Sequence, residues 1–383
     1  MLTKSINFTN FKIKKSTKKI NKHLSSILSE KNSVIESLST NYKNSFTKKS
    51  LKKFKSFLNF RMIGMGGSTL GSQAIYDFLN HKIKKNFYFI DNLKKKQKKD
   101  TKKFVNLIVS KSGNTIETIA NTNILIKKNE KNIFITENKN NYLHNLAQKL
   151  KAEVIHHNNF IGGRYSVLSE VGMAPAELMG LNPKKFRQLN QLIKNKNFFE
   201  TLITNVSSTL FFINKKKFNS IIINYDENSE NLFKWYQQLI AESLGKKKKG
   251  ILPIISTMPK DNHSVMQLYL DGFQNNFFTF FYVKEKKSQI INNTNLSLSF
   301  KFLKNKKISD IIFAQKKATE NVFRKKNIPY RSFEIIKRDE KTLGELFCFF
   351  ILETILLGRM LNLNPFNQPS VELIKKETLN LLI

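Results

Sequence analysis

Cysteine is almost missing from this 383-residue chain, where Cys348 stands alone. An intramolecular disulfide and a cysteine metal cluster are thereby excluded, and a reducing cytoplasm suits the composition. Long apolar runs are missing as well. The most membrane-like stretch, 343–361, is interrupted by Glu345, Glu353 and Arg359. It reads as a buried helix, because a span needs about twenty mostly apolar residues. The opening MLTKSINFTNFKIKK lacks the uninterrupted apolar segment of a secretory signal, so a cytoplasmic protein without a membrane partner is expected.

Acidic residues are scarce: 28 Asp plus Glu face 66 Lys plus Arg, for a formal charge of +38. Such a balance raises the question of nucleic acid or an anionic surface. Lysine is spread over nearly the whole chain, however, with clusters at 93–99 and 246–249, and it accompanies abundant Asn, Ile and Phe. All four residues have A/T-rich codons, so compositional bias accounts for the charge. No recognised nucleic-acid motif accompanies it, and no specific nucleic-acid partner is expected. The run Lys246 to Lys249 reads as a solvated loop.

Against these absences stand two segments rich in glycine and hydroxyls, GMGGSTLGS at 64–72 and SKSGNTIET at 110–118. Each lies between an apolar strand-like run and a helical pattern, which is the wiring of a phosphate cradle. Glycine lets backbone approach an anion, hydroxyls donate to it, and N–H groups at a helix start add partial positive charge. Neither segment has the GK[ST] ending of a triphosphate loop, and the first lacks dinucleotide spacing. A sugar phosphate is the first ligand class to consider, and ordinary strand-to-helix turns are the alternative.

The length suggests two or three domains. The first fifty residues are polar and lysine-rich, with Ile27, Leu28, Ile35 and Leu38 at helical spacing, and are expected to form peripheral helices. From Phe60 onward, RMIGM, FYFI at 87–90, FVNLIVS at 104–110, NIFIT at 132–136 and EVIHH at 153–157 alternate with helical patterns. A second set follows with SIIINYD from Ser220, a helix over 229–244, ILPIIST at 251–257 and FFTFFYV at 277–283. Such alternation predicts an α/β protein with doubly wound parallel sheets and ligands at the carboxyl ends of the strands.

Several residues are placed for chemistry. Arg164 follows two glycines in IGGRYSVLSEVG, where a guanidinium can hold a phosphate, stabilise an oxyanion or make a structural ion pair. Glu242 lies four residues after Gln238 on one helix face, as a general base or a solvated carboxylate. His263 begins a helical segment and can shuttle protons near neutral pH, or be structural. Lys375, beside Lys376, has the same two readings.

In order, GMGGSTLGS, SKSGNTIET, GGRYSVLSEVG, ESLGK at 242–246, DNHS at 261–264 and NQPSVELIK at 367–375 closely resemble the glucose-6-phosphate isomerase family. The resemblance runs from about Arg61 to Lys375. It implies two sugar-isomerase (SIS) type α/β domains at 56–184 and 185–345, preceded by a helical segment 1–55 and followed by a helical arm 346–383 returning to the active site. The N-terminal helical part is expected to be reduced relative to larger members. The implied reaction is reversible isomerisation of glucose 6-phosphate and fructose 6-phosphate through an enediolate, without metal or cofactor, in a homodimer. Glu242 is then the proton-transfer base and Arg164 the stabiliser of the enediolate. His263, from the partner subunit, opens the ring with Lys375. Gly67, Ser68, Ser110, Lys111, Ser112 and Thr115 surround the phosphate, while Gln238 and Gln368 line the substrate. Leu244, Ser370 and Ile374 depart from the family pattern. A combined phosphoglucose and phosphomannose isomerase is an alternative, as is a non-catalytic sugar-phosphate-binding regulator.

Overall fold

Strand-forming runs and helical patterns do alternate as expected, but the strands sort into two sheets that share no strand. A computed structural model describes residues 1–11, 13, 16–96, 102–127, 129–285, 287–292 and 294–383. Lys94, Lys95 and Lys96 of the lysine cluster are exposed, whereas residues 97–99 lie outside the described residues. The chain forms two compact units that interleave in sequence. One contains Lys18–Lys194, Asn231–Gly250 and Asp339–Ile383, and is called the glycine-loop unit below. The other contains Met1–Thr17, Asn195–Glu230 and Ile251–Arg338. Sequence reading divides the chain linearly, after residues 55, 184 and 345; both compact units instead gather separate segments.

In the second unit, β1 (Ile6–Thr9), β7 (Asn219–Asn224), β8 (Leu252–Thr257), β9 (Asn276–Val283) and β10 (Tyr330–Ile335) form a sheet of order β1-β10-β9-β7-β8. All pairings are parallel except β1 with β10. Strand β9 is buried along its whole length, consistent with a sheet covered on both faces. Phe278 and Phe280 meet Phe323 edge-on at centroid distances of 4.9 and 5.1 Å, a favoured aromatic geometry. The short β1 corrects the expectation of helices alone in the first fifty residues: Ile6 is fully buried beside Ile335. Strand β10 escapes the apolar-run criterion because it buries Arg331, whose Nε donates to Thr279 Oγ1 at 2.9 Å and Nη1 to Asn205 Oδ1 at 2.9 Å.

The glycine-loop unit holds β2 (Asn59–Ile63), β3 (Asn86–Ile90), β4 (Val105–Val109), β5 (Lys131–Thr136) and β6 (Glu153–His156), all parallel, in the order β3-β2-β4-β5-β6. The chain steps from β2 to one side and then returns to place β4 on the other. Between β2 and β4 the winding therefore reverses, which is where an open α/β sheet leaves a crevice for ligands. Both hydroxyl-rich loops leave the carboxyl ends of these two strands. Ile63, Ile108 and Phe134 pack with Leu143 and Ala147 of the helix Tyr142–Lys149 to form the core of one face.

Two of the further helices of this unit bear on the site. Glu340–Met360 is buried over nearly its whole length, as the stretch 343–361 predicts, and Asp339 caps it by accepting from Thr342 N–H at 2.9 Å. No helix among the described residues is long and apolar enough to cross a membrane. The helix Glu230–Leu244 buries Leu232, Trp235, Tyr236 and Leu239 on one side. Trp235 meets Phe347, and Tyr236 meets Phe350, at centroid distances of 4.8 and 4.6 Å. That packing leaves Gln238 and Glu242 on the less buried side.

Candidate active site

The glycine loop after β2 is shaped by contact with the GGRYS segment. Gly67 lies so close to Gly163 that an added Cβ would sit 2.2 Å from the Gly163 carbonyl carbon and 2.6 Å from Arg164 N. Glycine is required here by close approach of backbone. Ser166 Oγ ties the segment locally, donating to Gly163 O at 2.7 Å. Ser68 ends the 3₁₀ turn Gly66–Ser68, half-buried, with its N–H on Met65 O at 3.0 Å.

The second loop follows β4. Gly113 has φ +68°, and an added Cβ there would fall 1.8 Å from Asn141 Oδ1. Ser110, buried, and Thr115 hold one another through their hydroxyls at 2.8 Å. Ser112 is exposed, and its Oγ accepts from Asn114 N–H at 3.3 Å. Thr115 begins the ten-residue helix Ile116–Leu125 without capping it by its side chain, so partial positive charge from the helix start faces the loop. Lys111 lies 3.5 Å from Glu137 Oε1, while its carbonyl accepts from Glu137 N–H at 3.1 Å. Gly67, Ser68, Ser110, Lys111, Ser112 and Thr115 thus all belong to the two loops at the reversal of the sheet.

Arg164 is the centre of the site. The 3₁₀ segment Gly163–Leu168 buries it, and its side chain is 2% exposed. Nε donates to Ser243 Oγ at 2.8 Å. Nη1 donates to Glu242 Oε2 at 3.1 Å and to Gln368 Oε1 at 2.8 Å. Nη2 donates to the carbonyls of Pro365 at 2.7 Å and Asn367 at 3.2 Å. A guanidinium has five N–H donors, and each has an acceptor here. Burial of this charge is tolerable because it is paired and fully hydrogen-bonded.

Gln238 Nε2 reaches Glu242 Oε2 at 3.4 Å, so these side chains share the helix face read from the sequence. Gln238 Oε1 is buried and has no hydrogen-bond partner among the described residues. An acceptor left in that condition suits a hydroxyl-bearing ligand. Four of the expected residues, Arg164, Glu242, Gln238 and Gln368, are therefore brought together.

Lys375 and His263 do not take part in this hydrogen-bonded group. Lys375 lies on the helix Pro369–Leu382, none of whose residues is buried, and pairs with Glu372 Oε1 at 2.7 Å. His263 belongs to the other compact unit, exposed at the end of the 3₁₀ turn Lys260–His263. That turn is held by Asp261, which accepts from Thr257 N–H at 2.8 Å. Among the described residues, no three His, Cys, Asp or Glu side chains form a group that can hold a metal ion.

Sequence reasoning missed the residues that hold Arg164 rather than face a ligand. Ser243 links the Arg164 Nε–H to the Tyr165 hydroxyl, 2.9 Å away, and Tyr165 also donates to Pro365 O at 3.0 Å. Tyr165 is fully buried, and burial pushes its phenol above the usual range. Their signal in the sequence is adjacency, Tyr165 to Arg164 in GGRYS and Ser243 to Glu242 in ESLGK. Lys246 corrects the reading of 246–249 as a solvated loop, since its ammonium is on the Asn364 carbonyl, the Asn367 carbonyl at 2.6 Å and Asn367 Oδ1 at 3.1 Å.

Comparison with known proteins gives a consistent result. The family model described as phosphoglucose isomerase matches residues 7–259. The glucose-6-phosphate isomerase of Methanocaldococcus jannaschii is 33% identical over 352 residues, covering 85% of this chain and 85% of that protein. The glucose-6-phosphate isomerase of Campylobacter jejuni is 32% identical over 356 residues, covering 84% of this chain and 85% of that protein. Among solved structures, a hypothetical protein of Thermus thermophilus matches with TM-score 0.84 and 21% identity over 96% of this chain and 94% of its own. A glucose-6-phosphate isomerase of Chlamydia trachomatis matches with TM-score 0.68 and 20% identity over 88% of this chain and 72% of its own. The structural matches speak to the fold, which is that of a mixed α/β protein with parallel sheets, and the family model and sequence relatives speak to descent. The chain belongs to the phosphoglucose isomerase family.

Proposed function

We propose that this protein interconverts glucose 6-phosphate and fructose 6-phosphate by moving one proton between C2 and C1 of the open-chain sugar. Family membership supports the reaction, and the observation that carries the mechanism is the buried Arg164 bonded to Glu242. The Glu242 carboxylate takes the proton from C2 of the aldose. The C–H electrons form the C1–C2 double bond, and the former carbonyl oxygen becomes an enediolate oxyanion. Protonated Glu242 then delivers its proton to C1, the C2 oxygen becomes the carbonyl, and the hydroxyl proton moves from O2 to O1. One carboxylate thus serves as base and then as acid.

Arg164 contributes its fixed charge beside the developing oxyanion, in a site where its orientation is set before substrate arrives. The bond from Nη1 to Glu242 is the one a substrate oxygen exchanges with, while Gln368 keeps its hold on Nη1. Ser68, Ser110, Ser112 and Thr115 hold the phosphate together with the helix start, and Lys111 adds charge. Gln238 offers its free Oε1 to a sugar hydroxyl. His263 and Lys375 serve ring opening, with His263 delivered by a second copy of the chain in a homodimer. The exposure of His263 supports that arrangement. A reducing cytoplasm suits the buried Cys348 thiol, which burial pushes up to about 12.

Purified protein should convert fructose 6-phosphate to glucose 6-phosphate, read as NADPH through glucose-6-phosphate dehydrogenase. Binding of the sugar phosphate without turnover would instead make the protein a non-catalytic binder. For the homodimer, mixing Glu242→Gln and His263→Ala subunits should restore part of the activity, because a hybrid dimer contains one site with both groups. No recovery on mixing contradicts delivery of His263 across the dimer.

A further inference from the structure

ESLGK ends in a lysine for which the isomerisation chemistry has no step. Its position follows from the backbone. After the helix Glu230–Leu244 the chain makes a tight reversal in which Lys246 N–H donates to Lys249 O at 3.2 Å and Lys249 N–H to Lys246 O at 2.9 Å. Lys247 and Lys248 occupy the two central positions with φ of +52° and +58°. This geometry turns the two flanking lysines toward one short segment, 361–368, that joins the helices Glu340–Met360 and Pro369–Leu382.

Lys246 Nζ donates to the carbonyls of Asn364 and Asn367 and to Asn367 Oδ1. Lys249 Nζ donates to Leu361 O at 2.9 Å. The segment so held is the one that faces Arg164: Pro365 O and Asn367 O accept from Nη2, and Gln368 Oε1 accepts from Nη1. Asn367 O accepts from both cations. Three of the five acceptors around Arg164 therefore stand on a connection whose path is set from the other side by a lysine.

We propose that Lys246 is a positioning residue for the isomerisation, clamping the 364–368 turn so that its carbonyls and Gln368 hold the Arg164 guanidinium where the enediolate charge develops. Lys246 does not touch substrate in this account; it acts through Arg164. Burial, then the nearby Arg164 charge, lowers its ammonium to about 8, opposed by Glu242. The group is still largely charged at neutral pH, so its hydrogen bonds to carbonyls remain charge-assisted. Its catalytic consequence rests on the isomerase reading, whereas its effect on Arg164 does not.

The test compares Lys246→Met, which keeps the stem and removes the ammonium, with Lys246→Arg, which keeps the charge and donors. Lys246 is half-buried at the surface, so both variants retain the core. Lys246→Met should lower kcat about 10- to 100-fold, the usual effect of a misaimed group, with KM for fructose 6-phosphate little changed. It should weaken binding of 5-phospho-arabinonate, whose carboxylate copies the enediolate charge, and leave binding of uncharged-head sorbitol 6-phosphate unaltered. Lys246→Arg should recover most of both losses. Equal weakening of the two analogues, or unchanged kcat in Lys246→Met, overturns the proposal.

A second readout is the ¹⁵Nε–¹H resonance of Arg164, whose N–H is buried on Ser243. It should move in Lys246→Met and return in Lys246→Arg, and an unmoved resonance overturns the proposal. Should the wild-type protein show no turnover, the isomerase reading fails, and this resonance alone still decides whether Lys246 positions Arg164.

Discussion

Replacing Gly67 by alanine while leaving Gly163 as it is should damage both stability and turnover, whereas the reciprocal change should be mild. At Gly67 an added Cβ would meet the Gly163 carbonyl carbon at 2.2 Å, its oxygen at 2.3 Å and Arg164 N at 2.6 Å. These are backbone atoms, which no rotamer change can move away. At Gly163 the nearest atom to an added Cβ is Gly67 Cα at 3.7 Å, an ordinary contact. Relief at Gly67 requires the two segments to separate by about 1 Å, and forced overpacking of this kind costs about 3 kcal/mol or more. For a unit of this size that lowers the melting temperature by roughly 6–12 °C. Since the displaced segment carries Arg164, a shift of that size should also cost about 100-fold in kcat/KM. The assays are thermal unfolding by circular dichroism and the coupled isomerase assay, run on Gly67→Ala, Gly163→Ala and the parent. A Gly67→Ala protein that melts with the parent and turns over normally, or a Gly163→Ala protein that is equally damaged, would refute the reasoning.

Two other consequences concern stability. His157 is buried, with Nδ1 2.8 Å from Asn158 O, and burial lowers its pKa from 6.5 to about 4, with Lys111 adding to the effect and Glu137 opposing it. Between these values the unfolded chain binds a proton that the folded chain refuses. The stability owed to neutral His157 is therefore complete above pH 6.5 and falls as pH drops toward 4, by about 3 kcal/mol in all. Urea unfolding of His157→Gln between pH 7 and pH 4 should show a shallower loss than the parent; parallel curves contradict this. The left-handed pair Lys247 and Lys248 occupies positions that favour Asn-Gly, so Lys247→Asn with Lys248→Gly should stabilise by about 1 kcal/mol in the same assay. A loss of stability would show that the turn needs its lysines.

Most strands are legible from sequence because a parallel sheet covered on both faces selects continuous apolar runs, such as VNLIV in β4 and NFFTFFYV in β9. Strands β1 and β10 are not legible by that rule. Ile6 lies in a lysine-rich stretch, and the buried Arg331 gives N–H groups to Thr279 and Asn205, which are distant in sequence. The same limit applies at the site. Local motif chemistry brings out Arg164, Glu242 and Gln238, and the family resemblance adds Gln368, whereas Ser243, Tyr165 and Lys246 act on other protein groups. Nothing local says which acceptors a guanidinium will find. Arginine following two glycines suggests a fork aimed into a cleft; the fork is in fact filled by protein acceptors, and its charge is what remains to be offered. A lysine run ordinarily means a solvated loop, and only the left-handed turn at Lys247 and Lys248 directs Lys246 inward.

The central claim is that Glu242 carries the proton, and the most direct measurement is the turnover of fructose 6-phosphate by Glu242→Gln beside the parent, with sugar-phosphate affinity measured by calorimetry on both. The amide keeps an oxygen for the Arg164 bond and removes the basicity. The account predicts kcat lowered about 10²–10⁴-fold, the usual contribution of a general base, with affinity for the phosphate ester changed only a few-fold. A Glu242→Gln protein whose kcat stays within about tenfold of the parent would contradict the assignment of the base.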